Sequence, residues 1–135
     1  MRAGLLSRVR ADEGGATAIE FALVAPLLLA LLFGGMEIGR YLWFAAALDH
    51  AVVGAARCAG LAQATCEGDA QLAGAIEVSL RAVGVTMAVP PTAVAASPAP
   101  CGTILVVRRA YPALLPGLSP VLPQLRASAC IFHAV

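Results

Sequence analysis

Gly15-Ala-Thr-Ala-Ile-Glu20-Phe21-Ala-Leu-Val-Ala-Pro26 opens an apolar run that continues to Met36 with no other ionisable side chain. A helix over Ala16 to Met36, rising about 1.5 Å per residue, reaches about 31 Å, the thickness of a hydrocarbon core of about 30 Å. A carboxylate within such a span costs roughly 2.5 to 3.5 kcal/mol at the helix centre and less near an end, so Glu20 is a functional-site candidate by default. The bland alternative is that Glu20 snorkels to the headgroups.

The flanks orient the span. Arg2, Arg8 and Arg10 outweigh Asp12 and Glu13 ahead of it, and the chain contains no Lys. The positive-inside rule therefore keeps the amino terminus cytoplasmic and exports the rest. No later segment competes: Val83 to Val89 is short and ends at Pro90-Pro91, and Thr103 to Val107 stops at Arg108-Arg109. A removable signal peptide fits poorly, because Phe33-Gly34-Gly35-Met36-Glu37 lacks an Ala-x-Ala site and apolar sequence resumes at Tyr41.

Composition agrees with a small exported protein. Of 135 residues, 60% are hydrophobic and 13% charged, more apolar than a soluble domain of this size usually is. Beyond residue 44 about 90 residues remain, enough for one modest core that benefits from covalent staples. A net charge of +1, with no Lys/Arg cluster beyond the N-terminal arm and the Arg108-Arg109 pair, argues against a nucleic-acid surface.

Cys58, Cys66, Cys101 and Cys130 all follow the span. In an exported domain they read as disulfides; metal binding is disfavoured because no Cys-x-x-Cys occurs and His50 and His133 are isolated. Four cysteines allow three pairings.

With no proline between Leu27 and Val89, the first helix runs on to about Arg57 as a stalk, with Trp43, Ala46, Ala47 and His50 on one face. Glu37 and Arg40, at i and i+3, read as a solvated or interfacial ion pair worth a few tenths of a kcal/mol. After a turn from Cys58 to Glu67, Asp69 caps a second helix that buries Leu72, Ala75, Ile76, Leu80 and Val83 and ends at Gly84.

The remainder reads as strands over Val85 to Val89, Thr103 to Tyr111 and Gln124 to Phe132, with a Pro/Ala/Ser loop from Pro90 to Pro100. An extended connection carries Pro112, Pro116, Pro120 and Pro123. Pairing the last two strands antiparallel brings Cys101 opposite Cys130 and leaves Cys58 for Cys66. The fold class is thus α+β: a long transmembrane and stalk helix, a second helix and a small antiparallel sheet of about three strands.

Gly15, four residues, then Glu20-Phe21 and a proline-containing apolar helix resembles a type IVb prepilin processing motif. With Phe33-Gly34-Gly35-Met36-Glu37-Ile38-Gly39-Arg40-Tyr41, the string is similar to the TadE-like pseudopilins of bacterial tight-adherence (Flp) pilus systems. The resemblance implies a cytoplasmic leader over 1–15, a transmembrane and stalk helix over 16–57 and an extracytoplasmic disulfide-linked domain over 58–135. It implies a cut after Gly15 by a membrane-embedded aspartic prepilin peptidase, so that Ala16 becomes the new terminus and Glu20 the fifth residue. A cut after Gly14 would make Glu20 the sixth.

The resemblance places the chain in the bacterial inner membrane as a single-pass protein, its C-terminal domain periplasmic or extracellular, alone or within a pilus. Its implied partners are the peptidase, other pilin or pseudopilin subunits, the assembly machinery and membrane lipid, with Glu20 the assembly residue. Chain length favours a minor subunit. No cofactor, metal or catalytic constellation is expected. The competing readings are an uncleaved single-span subunit of another envelope complex, a secreted binding domain and, last, an enzyme.

Overall fold

The computed structural model of the chain describes residues 14–61, 64–114 and 122–131. Most of the leader, Pro116 and Pro120 of the proline-rich connection, and Phe132 and His133 lie outside the described residues. The fold is α+β. Helix α1 covers Gly14–Gly60, a 3-10 turn Ala64–Cys66 leads to helix α2 at Asp69–Ala82, and a second 3-10 turn at Pro91–Ala93 precedes strands β1 (Val94–Ala99), β2 (Gly102–Arg109) and β3 (Leu125–Ile131). The chain divides into two compact units, Met1–Ile38 and Gly39–Val135.

In the first unit, α1 is a sequence of Ala, Leu, Ile, Val and Phe with Pro26 inside it. Pro26 lacks an N–H, so one backbone acceptor a turn earlier loses its helical partner. In the second unit the same helix becomes one-sided. Phe44, Ala47, Leu48, Ala51, Val52, Ala55 and Ala56 are buried, and Trp43, Ala46, Asp49, His50, Gly54 and Arg57 are exposed. That alternation follows the helical repeat, and the alanines let packed elements approach closely.

Helix α2 buries Leu72, Ala73, Ile76 and Leu80. Its capping differs from the sequence expectation: the N-cap is Gly68, at φ 87°, with no side-chain cap, and Asp69 is the first helical residue. Leu72 N–H donates to Gly68 C=O at 3.0 Å, so the backbone closes the first turn, and Asp69 still meets the positive end of the helix dipole. Ala75 is half-buried and Val83 is 46% exposed. Val83 leaves the buried stripe because it is the C-cap, at φ −102° and ψ 16°, where the helical path has ended.

Gly84 terminates α2 as expected, at φ 78°. Its N–H donates to Arg81 C=O at 3.0 Å, and Val85 N–H donates to Leu80 C=O at 2.9 Å, the two bonds of a Schellman motif. Only a glycine takes this left-handed position at little cost.

The strand expected at Val85 to Val89 is not formed; that segment is extended but joins no ladder. Val85 and Val89 are nevertheless buried while Thr86 and Ala88 are exposed, so the alternation correctly marked the faces. The hydrogen bond went elsewhere: Val89 N–H donates to Glu77 Oε1 at 2.7 Å. Strand β1 instead lies in the Pro/Ala/Ser stretch expected to be a loop. As an edge strand in the order β1-β2-β3 it tolerates Pro98, which stands opposite Thr103.

The sheet is antiparallel throughout, with Val94 opposite Val107, and Val107 in turn opposite Ala127. Val94, Leu105, Val107, Leu125, Ala127 and Ile131 are buried on its inner side and join the core of the helices. On the outer side the exposed Arg108 and Arg126 are direct cross-strand partners, a like-charge pairing that costs stability.

Two glycines of opposite effect test the α2 geometry, since an added Cβ meets nothing within 4 Å at either Gly74 or Gly84. In denaturant unfolding of the full chain in detergent, Gly84→Ala should lower stability by about 1 to 2 kcal/mol through left-handed strain. Gly74→Ala, in the helix interior, should raise it by about 0.5 to 1 kcal/mol.

Glu77 separates a hydrogen bond from an ion pair, because its other oxygen accepts from Arg81 at 3.1 Å in a partly exposed i, i+4 pair. Glu77→Ala should cost about 1 to 3 kcal/mol by orphaning the Val89 N–H, whereas Glu77→Gln, which keeps an acceptor, should cost well under half of that in the same measurement.

Candidate functional site

The N-terminal constellation is carried by one helix. Gly15 is the second described residue of α1. Gly15 is exposed, and a Cβ there would meet nothing within 4 Å. Glu20 is exposed, and Phe21 is 73% exposed. Helical spacing therefore places the carboxylate about one and a half turns beyond Gly15.

Around Glu20 the helix is apolar on every side. Ile19, Leu23, Val24, Leu27 and Leu31 are all exposed. The helix from Thr17 to Gly60 is long and apolar enough to cross a membrane, with a mean hydropathy of 2.1 over its most apolar window, none of which is buried within the chain. Covering one such Leu, Ile or Phe side chain is worth about 1.5 to 3 kcal/mol, so this surface calls for an apolar surrounding.

A second constellation fixes α1 to the segment after β2. Arg40 Cζ lies 5.3 Å from the Phe44 ring centroid and 5.2 Å from that of Tyr111, and its guanidinium donates to Pro112 C=O. Tyr111 is buried and meets both Tyr41 and Phe44 edge-on, with centroids 5.3 and 5.6 Å apart. A cation above an aromatic face contributes about 0.5 to 2 kcal/mol according to its desolvation.

Of the two settings expected for Glu37 and Arg40, solvated or interfacial, burial removes the solvated one. Glu37 is 3% exposed, and Arg40 is half-buried. Sequence spacing could not reveal the partners of Arg40, because Tyr111 and Pro112 approach it only through the tertiary fold. The one local hint is an aromatic followed by proline where β2 ends.

The cysteines form two bonds. Cys58, in the last turn of α1, joins Cys66 with a Cα–Cα distance of 5.8 Å. Cys101 joins Cys130 with a Cα–Cα distance of 6.3 Å. The ladder partner of Cys130 is Ile104, so this second bond does not cross the ladder between facing residues; it leaves from the β1–β2 turn. His50 stands exposed on α1, and among the described residues no group of three or more His, Cys, Asp or Glu could hold a metal ion.

Residues 15–57 match the family model described as TadE-like protein. The match spans Gly15, Glu20 and the helix as far as Arg57. No curated protein and no solved structure matches the chain.

The two disulfides enclose very different loops, with sequence separations of 8 and 29. Non-reducing peptide mapping should recover Cys58 with Cys66 and Cys101 with Cys130. In the chain-entropy model each contributes about 2 to 4 kcal/mol, more for the longer loop. Replacing Cys101 and Cys130 by Ala should therefore lower the unfolding midpoint further than replacing Cys58 and Cys66.

Proposed function

We propose that this chain is a pilin-like minor subunit, a pseudopilin, serving tight-adherence pilus assembly or an associated secretion step at the bacterial cytoplasmic membrane. The observation that carries the reading is Glu20 as the lone ionisable group between Ala16 and Met36 of α1, five places after Gly15, inside the segment that matches the TadE-like family model. The amino terminus is cytoplasmic, one span crosses the bilayer and the disulfide-linked domain stands outside. The chain has no catalytic role of its own.

Processing is a hydrolysis performed by a prepilin peptidase. Water adds to the Gly15 carbonyl carbon, the bond to the Ala16 nitrogen breaks, and the products are a Gly15 carboxylate and an Ala16 ammonium. Glycine at this position presents no side chain to the protease. The new ammonium then serves as counter-ion for Glu20 of a neighbouring subunit. A carboxylate surrounded by apolar side chains is costly unless paired, so this contact sets the stagger between subunits as well as stabilising them.

Intact-mass analysis of the protein from membranes tests the processing step. The chain should begin at Ala16 when the peptidase is active, and Gly15→Val should remain full-length while still inserted. Because a Cβ at Gly15 meets nothing within 4 Å among the described residues, such a block points to the peptidase and not to the fold. An unshifted mass in the presence of active peptidase would favour an uncleaved signal-anchor subunit instead.

Glu20 is tested by separating insertion from assembly. Glu20→Ala should insert with unchanged topology and be cleaved, yet fail to co-purify with other pilus components, and Glu20→Asp should be intermediate. Wild-type association of the Ala variant would remove the carboxylate from the assembly contact.

A further inference from the structure

The second unit sorts its charges. Glu77 is taken by Arg81 and by the Val89 N–H, and Arg40 donates to Pro112 C=O. With these set aside, like charges stand together at two places among the described residues of this unit, and the two places are of opposite sign. Arg108 and Arg126 are exposed cross-strand partners, with Arg109 next in the chain. Glu67 and Asp69 are exposed on either side of Gly68. Among the described residues, Arg108, Arg126, Glu67 and Asp69 make no ion pair, and neither does Arg57, which precedes the disulfide-bonded Cys58.

Both doublets are held by the fold. The ladder fixes Arg108 beside Arg126, and facing residues of an antiparallel pair stand about 4.5 to 5.5 Å apart at Cβ. Glu67 follows Cys66, which is tied to Cys58, and Asp69 is the first residue of α2. Two residues of chain span at most about 7 Å, so the acidic doublet is of similar width. The arginines lie on the sheet face turned from the core, where Ile104 and Val106 of β2 share their side and are half-buried. Such a face offers apolar area to cover, and its charges supply register and direction. For the chain alone the arginine pair is a cost, which two facing carboxylates convert into a four-charge network.

We propose that the outer sheet face at Arg108 and Arg126 receives the corner of Glu67 and Asp69 from a second copy of this chain. Charge complementarity names the occupant, because each copy carries the acidic doublet that its own arginines leave unmatched. Face and corner are different surfaces, so the contact is head-to-tail. It repeats from copy to copy instead of closing on a two-fold axis. The contact is separate from processing and from Glu20.

The test uses the full chain in detergent, with p-benzoylphenylalanine in place of Ser128, which is exposed two residues from Arg126 on the same strand face. Irradiating an equal mixture of isotopically light and heavy chains should give cross-links of mixed mass to the peptide that contains Glu67 and Asp69. Their yield should fall as NaCl is raised. Arg108→Glu turns the cross-strand repulsion into an attraction, so it should raise the unfolding midpoint while lowering the cross-link yield at least about tenfold. A purely structural role for the pair would not move the two readouts in opposite directions.

Charge reversal and mixing exclude misfolding as the cause. Arg108→Glu with Arg126→Glu, and separately Glu67→Arg with Asp69→Arg, should each abolish the cross-link. A mixture of the two variants should restore it, because each variant's face then meets the other's corner with opposite charge. A mixture as silent as its parts would overturn the proposal, as would cross-links that survive both reversals or map to α1 of the second copy. Absence of any cross-link between wild-type copies would also overturn it and leave the arginines to a different acidic partner. An uncleaved chain, or wild-type assembly by Glu20→Ala, would defeat the pseudopilin reading and leave these outcomes unchanged.

Discussion

A single helix of 47 residues has to satisfy two different surroundings, and that constraint governs the rest of the chain. Through Met36 its side chains are mostly apolar and mostly exposed, with Glu20 the one ionisable group among residues 16–36. From Phe44 to Ala56 the same backbone carries an apolar stripe on one side only. The change of pattern, with no break in the helix, decides where a folded domain can begin and which residues are left to recruit a partner.

The domain built on that stripe is small and uses several modest devices in place of a large core. Leu48, Ile76, Leu80, Leu105 and Leu125 supply the bulk of the fully buried volume. The Schellman turn at Gly84 returns the chain, Glu77 caps the stray N–H of Val89, and Arg40 ties α1 to the carbonyl of Pro112. Two disulfides close the corner after α1 and the loop that contains β2 and β3. For a body of this size such local contributions, each of about one to a few kcal/mol, weigh heavily against total stability.

Legibility followed the range of the interaction. The extent of α1, the presence of α2 and its stop at Gly84, and the positions of β2 and β3 were readable because periodicity and a glycine stop are local signals. The edge strand was misplaced because Val85, Met87 and Val89 have the alternation of a strand, whereas Val94–Ala99 is composed of residues that sheets otherwise avoid. Only pairing with β2 makes the latter a strand. Asp69 was taken for a cap because a side-chain oxygen is the usual solution, and Gly68 solved the same problem with its backbone. At the candidate site, Gly15 and Glu20 stand out by spacing, while the aromatic enclosure of Arg40 joins residues about seventy positions apart and leaves only the Tyr111-Pro112 pair as a local hint.

Strand β1 leaves one flank of the sheet unpaired along its length. Copies of any chain with such an edge, brought to high local density, face the hazard of strand addition, in which one sheet continues into the next and ends in an amyloid-like stack. Pro98 interrupts the row of donors that such a neighbour would need, and the alanines and serine beside it offer little side-chain grip. The residues that hide this strand from a reading of its sequence are also those that keep it from templating another.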